Sequence, residues 1–179
     1  MNISAWMSWV GGVDLLAFTQ EGLPMPNVIV HLARVVHTPV GSAPAGMVFY
    51  MPDPNAPPTL MAFVSPATRV GAYFGPNIFA GTPFENALVL DGSIEIIEGD
   101  DEALSRVQVA GMNFETSLTG LGALELVDRA PNDITPFHQR VVESVAQSAS
   151  LKVNGIEVPV IVPPVPSSIV WSPTGIYTR

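Results

Sequence analysis

The sequence contains no cysteine among its 179 residues. Disulfide bonds, thiolate nucleophiles, iron–sulfur clusters and cysteine-ligated zinc are therefore excluded. The chain also lacks a G-x-x-x-x-G-K phosphate loop, a dinucleotide fingerprint and the H-E-x-x-H pattern of zinc proteases. We accordingly expect neither a cofactor nor a bound metal.

Charged side chains are scarce as well. Lysine and arginine together number 7 and aspartate and glutamate 16, which is 13% of the chain and gives a net charge of −9. Binding to nucleic acids or to anionic membrane surfaces depends on clustered basic residues, and no such cluster occurs. The sequence therefore predicts no nucleic-acid partner and a preference for neutral, cationic or apolar partners.

No uninterrupted apolar run approaches the ~18 residues of a membrane-spanning helix. The apolar N-terminal stretch has no positively charged start and is interrupted by Asp14, unlike a secretory signal peptide. These features predict a protein without membrane insertion, located in the cytoplasm. Neither a repeat nor a linker-like stretch occurs, so we expect a single β-rich domain over residues 1–179 with a proline-rich C-terminal segment, 159–179.

What the sequence does contain is many short apolar runs separated by some of its 18 prolines and 15 glycines. This is the pattern of strands and turns. It predicts an α+β fold dominated by antiparallel β-sheet, which can curl into a barrel. Residues 28–37 form the first clear strand, and residues 46–51 and 59–65 form a hairpin around a proline-rich loop.

Turn signals predict further strands in the second half of the chain. Asp91-Gly92 and Asn154-Gly155 are both typical of two-residue hairpin turns. Residues 106–118 alternate with period two and are interpreted as one strand covered on both faces. The prolines after residue 158 cannot donate ladder hydrogen bonds, so this segment is expected at a sheet edge or across another surface.

One late amphipathic helix is predicted over about 136–149. Thr135 is a suitable N-cap, and Pro136 suits the first helical position. The apolar side chains that follow fall on one stripe of a helix: Phe137, Val141, Val142, Val145 and Ala149. Residues 70–74, by contrast, are interpreted as a short strand, and residues 75–83 as irregular.

Three residues of the first clear strand are candidate catalytic groups: His31, Arg34 and His37. Strict alternation places both histidines on one face, about 20 Å apart at ~3.3 Å per residue, with Arg34 on the other face. That separation is too large for a shared metal ion. A catalytic histidine in this strand would need a carboxylate or hydroxyl partner from elsewhere in the chain, and ordinary half-buried histidines remain the alternative.

Aromatic and methionine side chains of the central strands are candidate ligand-binding residues. Pockets for small molecules are lined by such side chains, although a plain hydrophobic core has the same composition. The candidates are Phe49, Met61, Phe63, Tyr73 and Phe114.

The acidic run 98–102 and the single lysine, Lys152, can each be interpreted as a functional site or as ordinary solvent-exposed side chains. Residues 98–102, E-G-D-D-E, can gather a divalent cation through carboxylate oxygens, but they also suit a solvated turn. Lys152 is the only lysine and could form a Schiff base if it were buried, but its place beside an Asn-Gly turn favours an exposed side chain.

The sequence leaves three functions open. The leading hypothesis is a non-enzymatic homo-oligomer that binds a small apolar ligand. The low charge content favours an oligomer, because the cores of subunit interfaces are depleted in charge. The first alternative is a small enzyme of lyase, decarboxylase or isomerase type, which uses a histidine with an arginine or carboxylate partner. The second is a structural or assembly subunit whose proline-rich tail wraps a neighbour.

Overall fold

Two β-sheets and one α-helix make up the part of the chain that the computed structural model describes, residues 5–131 and 137–179. The elements in chain order are β1 (Trp6–Ala17), β2 (Val28–Thr38), β3 (Gly41–Tyr50), β4 (Leu60–Val64), α1 (Thr68–Ile78), β5 (Leu88–Leu90), β6 (Gly92–Glu98), β7 (Glu102–Val109), β8 (Met112–Thr119), β9 (Glu125–Arg129), β10 (His138–Val145), β11 (Ser148–Val153), β12 (Ile156–Val158) and β13 (Ile169–Thr178).

The larger sheet has eight strands in the order β5-β4-β3-β2-β1-β13-β10-β9, and the smaller has five in the order β12-β11-β8-β7-β6. Every neighbouring pair is antiparallel except β4 and β5. The predicted α+β fold with predominantly antiparallel sheet is therefore confirmed. In the described part of the chain both sheets end at free edge strands, so the expected barrel-like closure is wrong.

Each face of the larger sheet packs against another layer over part of its area. One face packs against the smaller sheet, where Leu15 and Leu32 meet Phe114 and Leu151 in a common buried core. The opposite face packs against α1 and the loop that follows it, in a second core. Burial of apolar surface on both faces supplies most of the driving force for this arrangement.

The late helix predicted over about 136–149 is wrong. Thr135 and Pro136 lie outside the described residues, and residues 138–145 and 148–153 form β10 and β11. β10 pairs with β13 on one side and with β9 on the other. The apolar stripe that suggested a helix includes β-branched Val141, Val142 and Val145, which suit a strand once neighbouring strands supply hydrogen bonds.

The helix of the structure is α1, in a stretch interpreted as strand and irregular chain. Its sequence includes Gly71, Gly75 and Pro76, all poor helix formers, and it has no side-chain N-cap. Val70, Gly71, Phe74 and Gly75 are its buried residues and face the sheet. Tertiary packing, rather than intrinsic propensity, therefore stabilises α1. Among residues 5–131 and 137–179, no helix is long and apolar enough to cross a membrane.

Gly75 allows α1 to approach the sheet closely. A Cβ atom at this position would lie 2.2 Å from Cδ2 of Phe63. Helix propensity alone predicts that Gly75→Ala stabilises the protein by up to about 1 kcal/mol. We expect instead a loss of about 1–3 kcal/mol in the free energy of unfolding, because the new methyl group overpacks the core.

Chemical denaturation of Gly75→Ala and Gly71→Ala measures this difference. At Gly71 the added Cβ would lie 2.9 Å from the Cγ1 atom of Val89, a smaller overlap than the 2.2 Å contact at Gly75. The Gly71 variant should therefore lose less stability than the Gly75 variant. A stabilised Gly75→Ala protein would contradict the close packing of α1 on Phe63.

The turn predictions had mixed outcomes. Asn154 and Gly155 have φ angles of 52° and 78°, and they join β11 to β12 as predicted. Asp91-Gly92 does not form a hairpin, because β5 belongs to the larger sheet and β6 to the smaller. The single strand predicted over residues 106–118 is in fact a hairpin, turned at Ala110 and Gly111 with φ angles of 51° and 77°.

The proline-rich C-terminal segment contains a central strand rather than an edge. β13 lies between β1 and β10 in the larger sheet. Thr174 pairs with Val10 of β1 and Ser172 pairs with Gly12, whereas Pro173 between them has no partner in β1. The sheet therefore accommodates a proline that cannot donate a hydrogen bond. The alignment with β10 shifts at the same place. Since β13 is built into its own sheet, this part of the tail is not available to wrap a neighbour.

Candidate active site

A cavity of about 400 Å³ opens on the helix-facing side of the larger sheet. Strands β1, β2, β9, β10 and β13 and the loop after α1 contribute to its walls. Its polar side chains include Asp14, His31, Arg129, Gln139, Glu143 and Tyr177, and its apolar side chains include Ile29, Ile78, Phe79 and Val141. A concave site with an apolar wall and a few converging polar groups is the usual form of a small-molecule site.

Asp14 and His31 form an ion pair inside this cavity. They are directly opposite each other in the antiparallel pairing of β1 with β2, so their side chains point to the same face. Nδ1 of the imidazole is in hydrogen-bond contact with Oδ1 of the carboxylate. Within residues 5–131 and 137–179, the other ring nitrogen, Nε2, has no hydrogen-bond partner.

Two aromatic rings hold the imidazole of His31 in place. Phe74 of α1 stacks on it with ring centroids 5.8 Å apart and an interplanar angle of 20°. Phe79 meets it edge-on at 5.8 Å and 86°. The His31 side chain is 24% exposed. The helix and its following loop thus shield one end of the cavity and fix the orientation of the ring.

The surroundings of His31 have opposing effects on its pKa. Burial lowers the pKa, whereas the negative charge of Asp14 and the hydrogen bond to it raise the pKa. The net result is a pKa above the ordinary value of 6.5. His31 is therefore a group that can carry a proton near neutral pH within a largely apolar setting.

A second ion pair lies across the cavity. Arg129 donates two parallel hydrogen bonds to Glu143, from Nη1 to Oε2 at 3.1 Å and from Nη2 to Oε1 at 2.5 Å. Glu143 is only 8% exposed and Arg129 belongs to the edge strand β9. A bidentate contact of this kind uses two of the five guanidinium N–H groups, and no side-chain hydrogen bond of the other three is found within residues 5–131 and 137–179.

Trp9 and Tyr177 form an aromatic layer against the strands that line the cavity. The Trp9 ring lies against Gly175, where a Cβ atom would be 2.2 Å from Trp9 Cζ2. Trp9 donates a hydrogen bond from Nε1 to Ser172 Oγ at 2.8 Å. Its ring centroid is 4.6 Å from that of Tyr177. A side chain at position 175 would displace this layer.

Of the three predicted catalytic residues, only His31 lines the cavity. Arg34 pairs with Glu98 at 3.4 Å, and His37 hydrogen-bonds Ser42 Oγ at 2.8 Å at an exposed position. The alternation that placed both histidines on one face is interrupted, because the pairing of β2 with β3 shifts between Ala33 and Val36. His37 pairs with Ser8, next to the cavity-lining Trp9, and therefore points to the opposite face.

The five predicted ligand-binding residues lie outside the walls of this cavity. Phe49 and Phe63 are buried beneath α1 and its following loop, with Phe63 5.5 Å from the ring of Phe79. Met61 is 36% exposed beside Phe49, and the Tyr73 hydroxyl contacts the backbone of Trp6. Phe114 packs between the two sheets. Direct ligand contact by these five residues remains a prediction.

The two charged features lie away from the cavity. Residues 98–102 form the connection from β6 to β7, closed by a hydrogen bond from the Gly99 amide to the Glu102 carbonyl at 2.9 Å. Lys152 is half exposed on the smaller sheet, 3.8 Å from Glu115. In the described ranges, 5–131 and 137–179, no group of three or more histidine, aspartate or glutamate residues could hold a metal ion.

Four polar residues of the site were not found from the sequence: Asp14, Arg129, Glu143 and Tyr177. They come from four different strands, and no local motif connects them. Glu143 lies in the segment that was wrongly predicted as a helix. An alignment of β1 with β2 as antiparallel neighbours would have placed Asp14 opposite His31.

Comparison with known proteins gave one weak likeness. No protein-family model matches this chain, and no curated protein matches it. Among solved structures it is similar to acetoacetate decarboxylase from Legionella pneumophila, at 13% identity and a TM-score of 0.41. The alignment covers 98% of this chain and 85% of that one. A likeness of this size says nothing about the activity of this chain.

Proposed function

We propose that this protein is a small enzyme in which His31 transfers a proton to or from a molecule bound in the cavity. The observation that carries the proposal is the contact between His31 and Asp14 within a cavity of about 400 Å³. Proton transfer of this kind occurs in isomerases, lyases and decarboxylases. Histidine is the side chain used most often for it.

Asp14 has two tasks in the proposed reaction. Its carboxylate accepts the hydrogen bond from Nδ1–H, which leaves the Nε2 lone pair of the neutral imidazole to remove a proton from the substrate. The imidazolium that forms is then stabilised by the negative charge of Asp14 and returns the proton from Nε2. An isomerisation returns the same proton to another atom, so no further reactant is needed.

The cavity walls restrict the substrate. Phe79 and Ile78 favour a molecule with an apolar body, and the ion pair of Arg129 with Glu143 favours a polar group at the other end. Because the only lysine, Lys152, lies on the smaller sheet, the proposed chemistry does not pass through a lysine imine. A small carbonyl compound with an acidic C–H group fits these requirements.

Proton exchange in heavy water tests this function directly. The protein is incubated with acetone, cyclohexanone and 2-oxobutyrate, and deuterium incorporation next to the carbonyl group is followed by NMR. We expect exchange above the buffer rate for at least one compound and a decrease of about 100-fold or more in His31→Gln. His37→Gln is the matched control and should exchange like the wild type.

Two results would contradict the proposal. One is a wild-type protein that exchanges none of the compounds faster than buffer. The other is a His31→Gln variant that retains the wild-type exchange rate. If a compound binds without exchange, the protein is instead a non-enzymatic binder of small apolar molecules, a function that the aromatic wall at Phe79 would also serve.

Self-association is a separate proposal that rests on exposed apolar side chains. Trp6, Val10 and Ile176 are 38%, 37% and 39% exposed on the adjacent strands β1 and β13. Their positions in the register place them on the face opposite the cavity. We expect a homo-oligomer in size-exclusion chromatography with light scattering, and a concentration-independent monomer would contradict it.

A further inference from the structure

Tyr177 lies between the two ion pairs of the cavity. On β13 it pairs with Met7 of β1 and with Gln139 of β10, which itself pairs with Arg129 of β9. Its ring is held by Trp9 at 4.6 Å and by Phe137 at 6.0 Å between centroids. The phenol therefore has a fixed position in the cavity wall.

The hydroxyl group of Tyr177 has no hydrogen-bond partner among residues 5–131 and 137–179, in contrast to the neighbouring Trp9 Nε1, which donates to Ser172. Tyr177 is half-buried and lines the cavity, and a tyrosine hydroxyl in such a place can donate a hydrogen bond to whatever occupies the cavity. A bound molecule with an acceptor oxygen would supply that partner.

Electrostatics keep this group a donor. Burial raises the pKa of Tyr177 well above its ordinary value, and the charge of Asp14 adds to the increase. Arg129 lowers the pKa and Glu143 raises it. Tyr177 lines the cavity together with these three charged residues, and its hydroxyl remains protonated at neutral pH.

We infer that Tyr177 is a second functional residue of the cavity, which donates a hydrogen bond to a negatively charged or strongly polarised oxygen of the bound molecule. The inference rests on the proposed function, because it requires that the cavity binds a small molecule. It assigns separate roles to two groups: His31 exchanges the proton, and Tyr177 stabilises the oxygen on which negative charge develops.

A pair of probes of similar size tests this role. 4-Nitrophenolate carries a negatively charged oxygen, and nitrobenzene has the same ring without it. Dissociation constants are measured by calorimetry at pH 8.5 for the wild type and Tyr177→Phe. We expect the substitution to weaken 4-nitrophenolate binding about tenfold or more, since hydrogen bonds to charged groups are strong. Nitrobenzene binding should change less than twofold.

Controls separate this inference from the proposed function. Phenylalanine retains the ring contacts with Trp9 and Phe137, so the thermal midpoint of Tyr177→Phe should match that of the wild type. Tyr73→Phe removes a hydroxyl outside the cavity and should bind both probes normally. If both probes bind the wild type and Tyr177→Phe binds them equally well, the role of Tyr177 is wrong while the cavity stands. If neither probe binds the wild type, the binding cavity is wrong, and the role of Tyr177 with it.

Discussion

Replacing Arg129 by methionine is expected to lower the free energy of unfolding by about 2 kcal/mol, between the values for exposed and for buried ion pairs. The substitution leaves the carboxylate of Glu143, which is 8% exposed, without the guanidinium that donates to both of its oxygens. Removal of one partner of this half-buried pair is unfavourable because the Glu143 charge then remains in a poorly solvated place. Urea denaturation of the variant and the wild type measures the difference.

Two further variants identify the cause of this loss. Glu143→Gln in the Arg129→Met background removes the unpaired charge and should restore a large part of the lost stability. Arg140→Met is the matched surface control, since Arg140 is 59% exposed and pairs with an exposed Asp128 at 3.2 Å. Its effect should be about 0–1 kcal/mol. Equal losses in Arg129→Met and Arg140→Met would show that the Glu143 charge does not depend on Arg129.

Asp14→Asn is expected to reverse the pH dependence that His31 gives to stability. In the wild type the pKa of His31 is raised in the folded state, so its contribution is fully present below pH 6.5. That contribution is lost as the pH rises through the folded-state value. Without the charge of Asp14, burial, which is the largest single influence, lowers the pKa. The variant should then lose stability as the pH falls below 6.5.

Denaturation curves from pH 5 to pH 9 measure this reversal. Subtraction of the His31→Gln curve from that of the wild type, and of the Asp14→Asn/His31→Gln curve from that of Asp14→Asn, removes the contributions of the other titrating groups and isolates that of His31. The same subtraction with His37→Gln in place of His31→Gln should not change sign on Asp14→Asn, because His37 hydrogen-bonds Ser42 on the opposite face of β2 and does not contact Asp14. A difference curve with the same sign in the wild type and Asp14→Asn would show that Asp14 does not hold the proton on His31.

The local parts of the fold could be predicted from the sequence. β2 is rich in β-branched residues, and Asn154-Gly155 has the chemistry that a two-residue turn requires. Both were predicted correctly. In these segments local preference and tertiary structure agree, so the pattern alone suffices.

The errors lie where tertiary contacts outweigh local preference. β10 was predicted as a helix because its valines also fit a helical stripe, and only its neighbours β9 and β13 decide the matter. The segment of α1 was not predicted as a helix because Gly71, Gly75 and Pro76 oppose it. There the glycines are required for close contact with the sheet.

The candidate site was predictable only in part. His31 was identified from its type and its place in a strand, but the same argument also selected Arg34 and His37. The irregular pairing near Ala33 turns His37 to the opposite face, and nothing in the local sequence signals it. Asp14, 17 residues before His31, becomes its partner only through the register of β1 with β2.

Asp14 raises the pKa of His31 inside the cavity, and NMR titration of the imidazole tests this most directly. The resonance of His31 is assigned by its absence in His31→Gln. We expect a titration midpoint of His31 above pH 6.5 in the wild type and below pH 6.5 in Asp14→Asn. A midpoint at or below 6.5 in the wild type, unchanged by Asp14→Asn, would contradict it.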